Sequence, residues 1–370
     1  MRIGIPREIK PQENRVSTVP MTVAELIRRG HEVFVERDAG AGCGFFDEDY
    51  EAAGASILPD ADAVFHHTQM IIKVKEPQPV EIERLKPEHL LFTYLHLAAD
   101  KTLTERLVGT GCTAVAYETV SVNGKLPMLE PMSEVAGRMS VIYGSAMLAK
   151  HHEGSGVLIP GVPGVPAGKV MVIGGGTAGL NAAKIALGLG AEVTILDVST
   201  ERLRYLDIAL PGVRTLYSTP EHINSLLPDT DLVIGAVLVP GAAAPKLIRR
   251  EHLKRMKPGS VVVDIAVDQG GCCETTRPTT HQDPVYLEEG IVHYCVANMP
   301  GAYARTSTEA LSNATRPWTL LLADLGVAGA CGRRVELWNG INCTGGKLTC
   351  APVAEAHGMQ TSDAMAMLAG

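Results

Sequence analysis

The chain has 370 residues, enough for two domains of ordinary size. Hydrophobic residues make up 46% and charged residues 20%, which excludes a disordered chain and predicts a sizeable core. A net charge of −8 with only 4% aromatic residues argues against nucleic acid or an anionic membrane as a partner.

Segment 1–128 alternates strand and helix patterns. Strands are predicted at 2–5, 32–36, 70–74, 90–95 and 114–118, and helices at 21–29, 47–53 and 103–108. That rhythm belongs to a parallel sheet with crossover helices. The N-terminus lacks an apolar run of signal-peptide length. The eight cysteines are scattered and form no C-x-x-C, so reduced thiols of a cytoplasmic protein are expected. Cys272-Cys273 reads as two ordinary thiols in a loop.

Three residues near the strand ends of this segment stand out. Arg15, in Asn14-Arg15-Val16, follows the first strand; a guanidinium there can clamp a carboxylate bidentately, or lie on the surface. Lys75 ends the strand that carries Lys73-Val74-Lys75-Glu76-Pro77, at the rim where open α/β sheets bind ligands. Alternation puts Lys73 on the same face, so it is the rival candidate; a solvated strand end is the plain alternative. His96 ends Tyr94-Leu95-His96 and can act as a general acid or base, although a satisfied structural histidine is the commoner fate.

A long amphipathic helix is predicted over 133–150, with Ser133 as its N-cap. A loop rich in glycine and proline, 154–168, leads to the stretch that organises the second half. There Val170-Met171-Val172-Ile173 forms a short buried strand, and Gly174, Gly176 and Gly179 make G-x-G-x-x-G directly after it. An Ala/Leu-rich helix and a second apolar strand follow, ending at Asp197. The first glycine permits the tight turn, the second lets backbone approach a pyrophosphate, and the third lets helix and strand pack closely. The helix N-terminus offers N–H groups and partial positive charge to the phosphates. Asp197, eighteen residues after Gly179, can accept both ribose hydroxyls and would repel a 2′-phosphate, so NAD rather than NADP is expected.

The rhythm continues with helices at 201–207 and 220–227, strands at 214–217 and 231–239, a basic helix at 246–256, and strands at 260–267 and 291–297. These complete a doubly wound unit. Asp268 ends one strand beside Gly270-Gly271, next to where a nicotinamide should lie; Asp264, inside the strand, reads as structural. Asn298 ends another strand at the same rim. His151-His152 read as solvated, and no His/Cys/Asp cluster has metal-ligand spacing, so no metal is expected. The apolar window 170–189 carries glycines, Asn181 and Lys184, which argues against a membrane span.

A last helix is predicted from 308 to about 326, capped by Ser307 or Thr308. The tail, 330–370, reads as irregular with a short Ala/Met helix, has no core of its own, and must pack elsewhere. Two long helices flank the nucleotide unit, which is therefore expected to be inserted into the other domain. The expected fold is α/β, with two doubly wound domains: 1–132 plus 305–370, and 133–304.

These residues resemble the alanine dehydrogenase family, shared with the NAD-binding part of proton-translocating transhydrogenases. The likeness runs through Gly4-Ile5-Pro6-Arg7-Glu8, Asn14-Arg15-Val16, Lys73-Val74-Lys75-Glu76-Pro77, Leu95-His96-Leu97-Ala98, Met132-Ser133-Glu134-Val135-Ala136-Gly137-Arg138, the glycine loop, Asp264-Ile265-Ala266-Val267-Asp268-Gln269-Gly270-Gly271 and Ala297-Asn298-Met299-Pro300. It implies two Rossmann-like domains and reversible oxidative deamination of L-alanine to pyruvate and ammonia with NAD. It implies Arg15 and Lys75 as substrate binders, and His96 and Asp268 as the acid–base pair. It implies NAD contacts at Ser133, Gly176, Thr177, Ala178, Asp197, Arg202, Ser218, Val237, Leu238, Ile265, Arg277, Asn298 and Met299, beside Gly174 and Gly179 of the loop. It also implies a homohexamer. Two other readings are a soluble transhydrogenase-type subunit and a non-catalytic NAD sensor.

Overall fold

Continuous apolar runs, rather than alternating ones, mark most of the strands, as expected where helices cover both faces of a parallel sheet. The computed structural model describes residues 1–237 and 244–368. The chain divides into two units, Met1–Met132 with Tyr303–Gly370, and Ser133–Ala302.

The strands in chain order are β1 (Arg2–Ile5), β2 (Glu32–Glu36), β3 (Ser56–Leu58), β4 (Met70–Ile72), β5 (Leu90–Thr93) and β6 (Thr113–Ala116). The second unit contributes β7 (Lys169–Ile173), β8 (Glu192–Asp197), β9 (Arg214–Tyr217), β10 (Leu232–Gly235), β11 (Val261–Asp264), β12 (Val285–Glu288) and β13 (Ile291–Tyr294). The chain returns to the first unit with β14 (Ile341–Thr344) and β15 (Lys347–Leu348).

In the first unit the order is β15-β14-β6-β5-β4-β1-β2-β3. The six strands from β6 to β3 are parallel, and β14 joins β6 antiparallel. Met70, Ile72, Leu90 and Phe92 face one core cluster, while Ile71 and Leu91 face the other. In the second unit the order is β12-β13-β11-β10-β7-β8-β9, with only the β12 edge antiparallel. Val170, Val172, Leu232 and Ile234 enter one cluster, and Met171, Ile173 and Val233 the opposite one. Both sheets are thus doubly wound, and each reverses its strand order at one point, between β1 and β4 and between β7 and β10.

Several predicted elements change. The helix expected at 133–150 begins at Glu130, with Pro131 in its first turn where a missing N–H costs nothing. Ser133 is therefore inside the helix and not its cap. The last helix runs Ala304–Arg333, with a break at Gly326 (φ 66). Ser307 and Thr308 are buried within it; Thr308 Oγ1 accepts the Val16 N–H at 3.2 Å instead of capping. The basic helix at 246–256 shrinks to Arg250–Leu253, because the Leu247 and Ile248 N–H groups bond Cys272 O at 2.8 and 3.1 Å. Strand 231–239 is seen as Leu232–Gly235, and its predicted residues 238 and 239 lie outside the described residues. Strand 260–267 stops at Asp264 and passes into a 3₁₀ turn, Ile265–Gln269, that carries Asp268; strand 291–297 stops at Tyr294. The tail is more ordered than expected. The β14–β15 hairpin turns at Gly345-Gly346, both at positive φ, and extends the first sheet. Strand β3 and helix Ala61–His67, capped by Asp60, are additions.

Candidate active site

In the first unit the polar strand ends gather on the loops after β1, β4, β5 and β6. Arg15 is buried and held by Glu13: Nε donates to Oε1 at 2.7 Å and Nη2 to Oε2 at 2.6 Å. Nη1 lies 3.1 Å from Met132 Sδ. The expected bidentate clamp is thus made with the chain's own carboxylate, two residues away. Burial works against the Arg15 charge, but Glu13 outweighs it and holds the guanidinium above its ordinary value.

Lys73 and Lys75 part company after β4. Lys73 is sealed in the interior, donating to Glu81 at 2.6 Å and Glu8 at 3.1 Å. Burial alone would lower its pKa, yet the two carboxylates keep it above the ordinary lysine value, so it stays a fixed structural cation. Lys75 is positioned through its backbone: Thr93 Oγ1 donates to its carbonyl at 2.9 Å, and Glu8 Oε1 accepts the Val74 and Lys75 N–H groups at 2.6 and 3.4 Å. Glu76 follows it and pairs with Lys10. Burial pushes the Glu76 carboxyl up, but Lys75, Lys10 and His96 outweigh it and hold it below its ordinary value.

His96 adopts a left-handed backbone, φ 50, which a non-glycine residue occupies only when its surroundings require it. The requirement comes from Glu118, just after β6, whose carboxylate accepts the N–H of Leu95 at 3.0 Å and of His96 at 2.7 Å. The His96 side chain is 42% exposed, with Nδ1 3.7 Å from Glu76 Oε2. Lys75 and His96 are thus linked through Glu76. None of Glu8, Glu13, Glu76 and Glu118 was singled out from sequence. The signal that could have found them is a carboxylate one to eight residues past a buried strand's carboxyl end.

In the second unit the glycine loop has the form a dinucleotide needs. Gly174 has φ 98, and a Cβ there would stand 2.6 Å from Ala236 O. A Cβ on Gly179 would lie 1.8 Å from Gly174 O, whereas one on Gly176 would meet no heavy atom within 4 Å. Helix Thr177–Gly188 starts immediately after Gly176, with Thr177 and Ala178 as its first residues. The loop therefore fits a pyrophosphate: close packing at its ends, open backbone in the middle and a helix N-terminus behind it. Asp197 ends β8. Its Oδ2 accepts the Gly175 N–H at 2.7 Å and its Oδ1 the Ser199 N–H at 2.8 Å. Arg202 donates to the carbonyls of Gly175 and Gly176 and lies over the Tyr205 ring. Ser218 donates its N–H to Asp197 O at 2.9 Å.

Asp268 is exposed in its 3₁₀ turn. The turn is pinned by Asp264, which is buried and accepts the N–H groups of Ala266 at 3.1 Å, Cys272 at 2.8 Å and Cys273 at 3.3 Å. Burial lifts the Asp264 pKa. Asn298, also left-handed (φ 61), brings its N–H to 3.5 Å from Asp268 Oδ2, with Met299 buried after it. Arg277 stacks over Tyr286 at 4.0 Å. Ile265 opens the Asp268 turn, and Val237 follows β10 with its N–H near Gly174. Ser133 lies in the first turns of helix Glu130–Met147. Leu238 lies outside the described residues. The eight cysteines are buried free thiols. Among the described residues no helix is long and apolar enough to cross a membrane, and no group of three or more His, Cys, Asp or Glu could hold a metal ion.

Residues 4–136 match the model of the alanine dehydrogenase/PNT N-terminal domain, and residues 140–351 that of the corresponding C-terminal domain. The chain is 52% identical over 370 residues to an alanine dehydrogenase of Halomonas elongata, covering all of both chains. A solved L-alanine dehydrogenase superposes with a TM-score of 0.93 at 48% identity, over 97% of this chain and 99% of that one. A transhydrogenase from Sinorhizobium meliloti superposes at 0.81 and 26% identity, over 95% of this chain and 99% of that one. The protein belongs to the alanine dehydrogenase/PNT family.

Proposed function

We propose that the protein is an NAD-dependent L-alanine dehydrogenase that converts L-alanine reversibly to pyruvate and ammonia. The whole-length identity of 52% with an alanine dehydrogenase carries this reading; the transhydrogenase stands at 26%. The residues agree with it chemically. NAD, when bound, accepts the hydride from Cα. The second unit is the NAD-binding domain: Gly174, Gly176 and Gly179 admit the pyrophosphate, Asp197 receives the ribose, and the remaining contacts follow the family pattern. The first unit is the substrate domain. Arg15, steadied by Glu13, supplies positive charge for the substrate carboxylate. Lys75, protonated, polarises the carbonyl oxygen of pyruvate and stabilises the charge that develops there. His96 takes a proton from the water that adds to the imine carbon and returns one to the departing nitrogen, and Asp268 is the second acid–base residue of this reading. A homohexamer acting in the cytoplasm completes the proposal.

The test is a steady-state NADH assay with L-alanine against a panel of other amino acids, with NAD and NADP in parallel. L-alanine with NAD should be the preferred pair. Strict preference for another amino acid would refute the substrate, and hydride exchange between nucleotides without alanine turnover would favour the transhydrogenase-type reading. Light scattering on the eluting protein tests the hexamer.

A further inference from the structure

Glu76 takes no part in the chemistry above, yet its carboxylate is built between the residues that do. The side chain is only 14% exposed. Oε1 accepts from Lys10 Nζ, which fixes the orientation of the carboxylate. Oε2 is buried and has no hydrogen-bond partner among the described residues, although it stands 3.7 Å from His96 Nδ1. A buried carboxylate oxygen left short of a donor is costly, and the imidazole is the donor it faces. The backbone of His96 is already fixed by Glu118, so a small rotation of the ring closes the gap. The charged groups around the pair are Lys10 and Lys75 on the Glu76 side and Glu118 beneath the His96 backbone; the Tyr94 ring lies 5.7 Å from the imidazole.

We propose that Glu76 is a positioning residue for His96: Oε2 accepts the Nδ1–H, sets the imidazole tautomer, and presents Nε2 as the nitrogen that exchanges the proton. The proposal rests on the acid–base role given to His96 above. Lys10 and Lys75 keep Glu76 ionised, and an ionised carboxylate at this position favours the imidazolium. Replacing it with a neutral amide of the same shape removes that bias while leaving the loop its packing.

Two measurements on the full-length Glu76→Gln and Glu76→Asp proteins test this. The first follows modification of His96 by diethyl pyrocarbonate against pH, quantified on its peptide by mass spectrometry. The reagent attacks the neutral imidazole, so the inflection reports the His96 pKa and requires no turnover. It should fall by about half to one pH unit in Glu76→Gln and recover at least partly in Glu76→Asp. The second is the pH profile of kcat/KM with L-alanine. Its acid inflection should move down with the modification curve, and kcat should fall by about 10- to 100-fold with the KM for NAD unchanged, a part of what a general acid–base group contributes. A lower kcat with both inflections where the wild type has them would overturn the proposal, since that is the signature of damaged packing alone. Unchanged kcat with unchanged inflections would overturn it equally. If the wild type turns over no alanine, the functional reading fails, and the modification curve still decides whether Glu76 governs the His96 ring.

Discussion

Two alanine substitutions in the glycine loop separate ligand sterics from protein sterics. In Gly179→Ala the new Cβ would sit 1.8 Å from Gly174 O and 2.9 Å from Gly174 C. Both are backbone atoms, so neither can swing aside, and the turn must open by more than 1 Å. Forced overpacking of this kind costs about 1–3 kcal/mol. For a unit of this size that lowers Tm by about 2–12 °C. In Gly176→Ala the Cβ meets nothing within 4 Å, and φ is −64°, a value alanine adopts freely. Its only cost to the protein is a poorer helix N-cap, about 1 kcal/mol or less. The space it fills is where the pyrophosphate is proposed to lie against bare backbone. Thermal unfolding without nucleotide should therefore leave Gly176→Ala within about 4 °C of wild type. NADH titration by fluorescence should show its Kd raised at least tenfold, a loss of about 1.4 kcal/mol. Gly179→Ala should fail both assays. Wild-type NADH affinity in Gly176→Ala would refute the placement of the pyrophosphate, and wild-type Tm in Gly179→Ala would refute the steric reasoning.

The two lysines after β4 predict opposite phenotypes. Lys73→Met strands Glu8 and Glu81 as buried carboxylates and should destabilise the protein by about 3–5 kcal/mol in denaturant titrations, whereas Lys75→Met should fold normally and lose turnover. Asp197→Ala removes the acceptor of the Gly175 and Ser199 N–H groups; the KM for NAD should rise and the discrimination against NADP should shrink in parallel steady-state assays. The Glu76 carboxyl, held below its ordinary value of 4.5, contributes stability that is fully present above that value. It is lost as pH falls through the lower native value, so acid unfolding curves of Glu76→Gln and wild type should converge at low pH, separate as pH rises towards about 4.5, and stay a constant distance apart above it.

The glycine loop was legible because its whole pattern lies within six residues: Gly174 takes a positive φ, Gly176 leaves its backbone open, and Gly179 packs against Gly174 O. The choice between Lys73 and Lys75 was not, because alternation puts both on one face and the decision lies with Glu8, sixty-five positions away from Lys73. The left-handed backbone of His96 is set by Glu118, again from another strand end. Cap residues misled for a related reason: a buried hydroxyl such as Thr308 Oγ1 serves a backbone donor on a distant loop as readily as one on its own helix. The tail looked irregular because β14 gains its stability from pairing with β6, and β15 from pairing with β14, rather than from their own pattern. Strand and helix identities in the βα alternation survived because helices on both faces impose apolar runs that no local signal contradicts.

Both sheets reverse strand order at one point, and the chain treats the two points differently. After β7 it removes side chains, so that backbone and helix N-terminus face the crevice. After β1 and β4 it does the opposite and adds charge in matched pairs. Glu8, three residues past β1, accepts from Val74 N, Lys75 N and Lys73 Nζ, which all follow β4. The crevice of the first sheet is thus tied across by the protein's own carboxylate. A lysine on a loose strand end would lose backbone as well as side-chain freedom on gripping a small substrate; one whose backbone is already bonded on both sides has given up the backbone share on folding. A ligand with few atoms offers little contact area to offset such a loss, so a rigid charged frame suits a small amino acid, and a loop of bare backbone suits a long dinucleotide with many contacts.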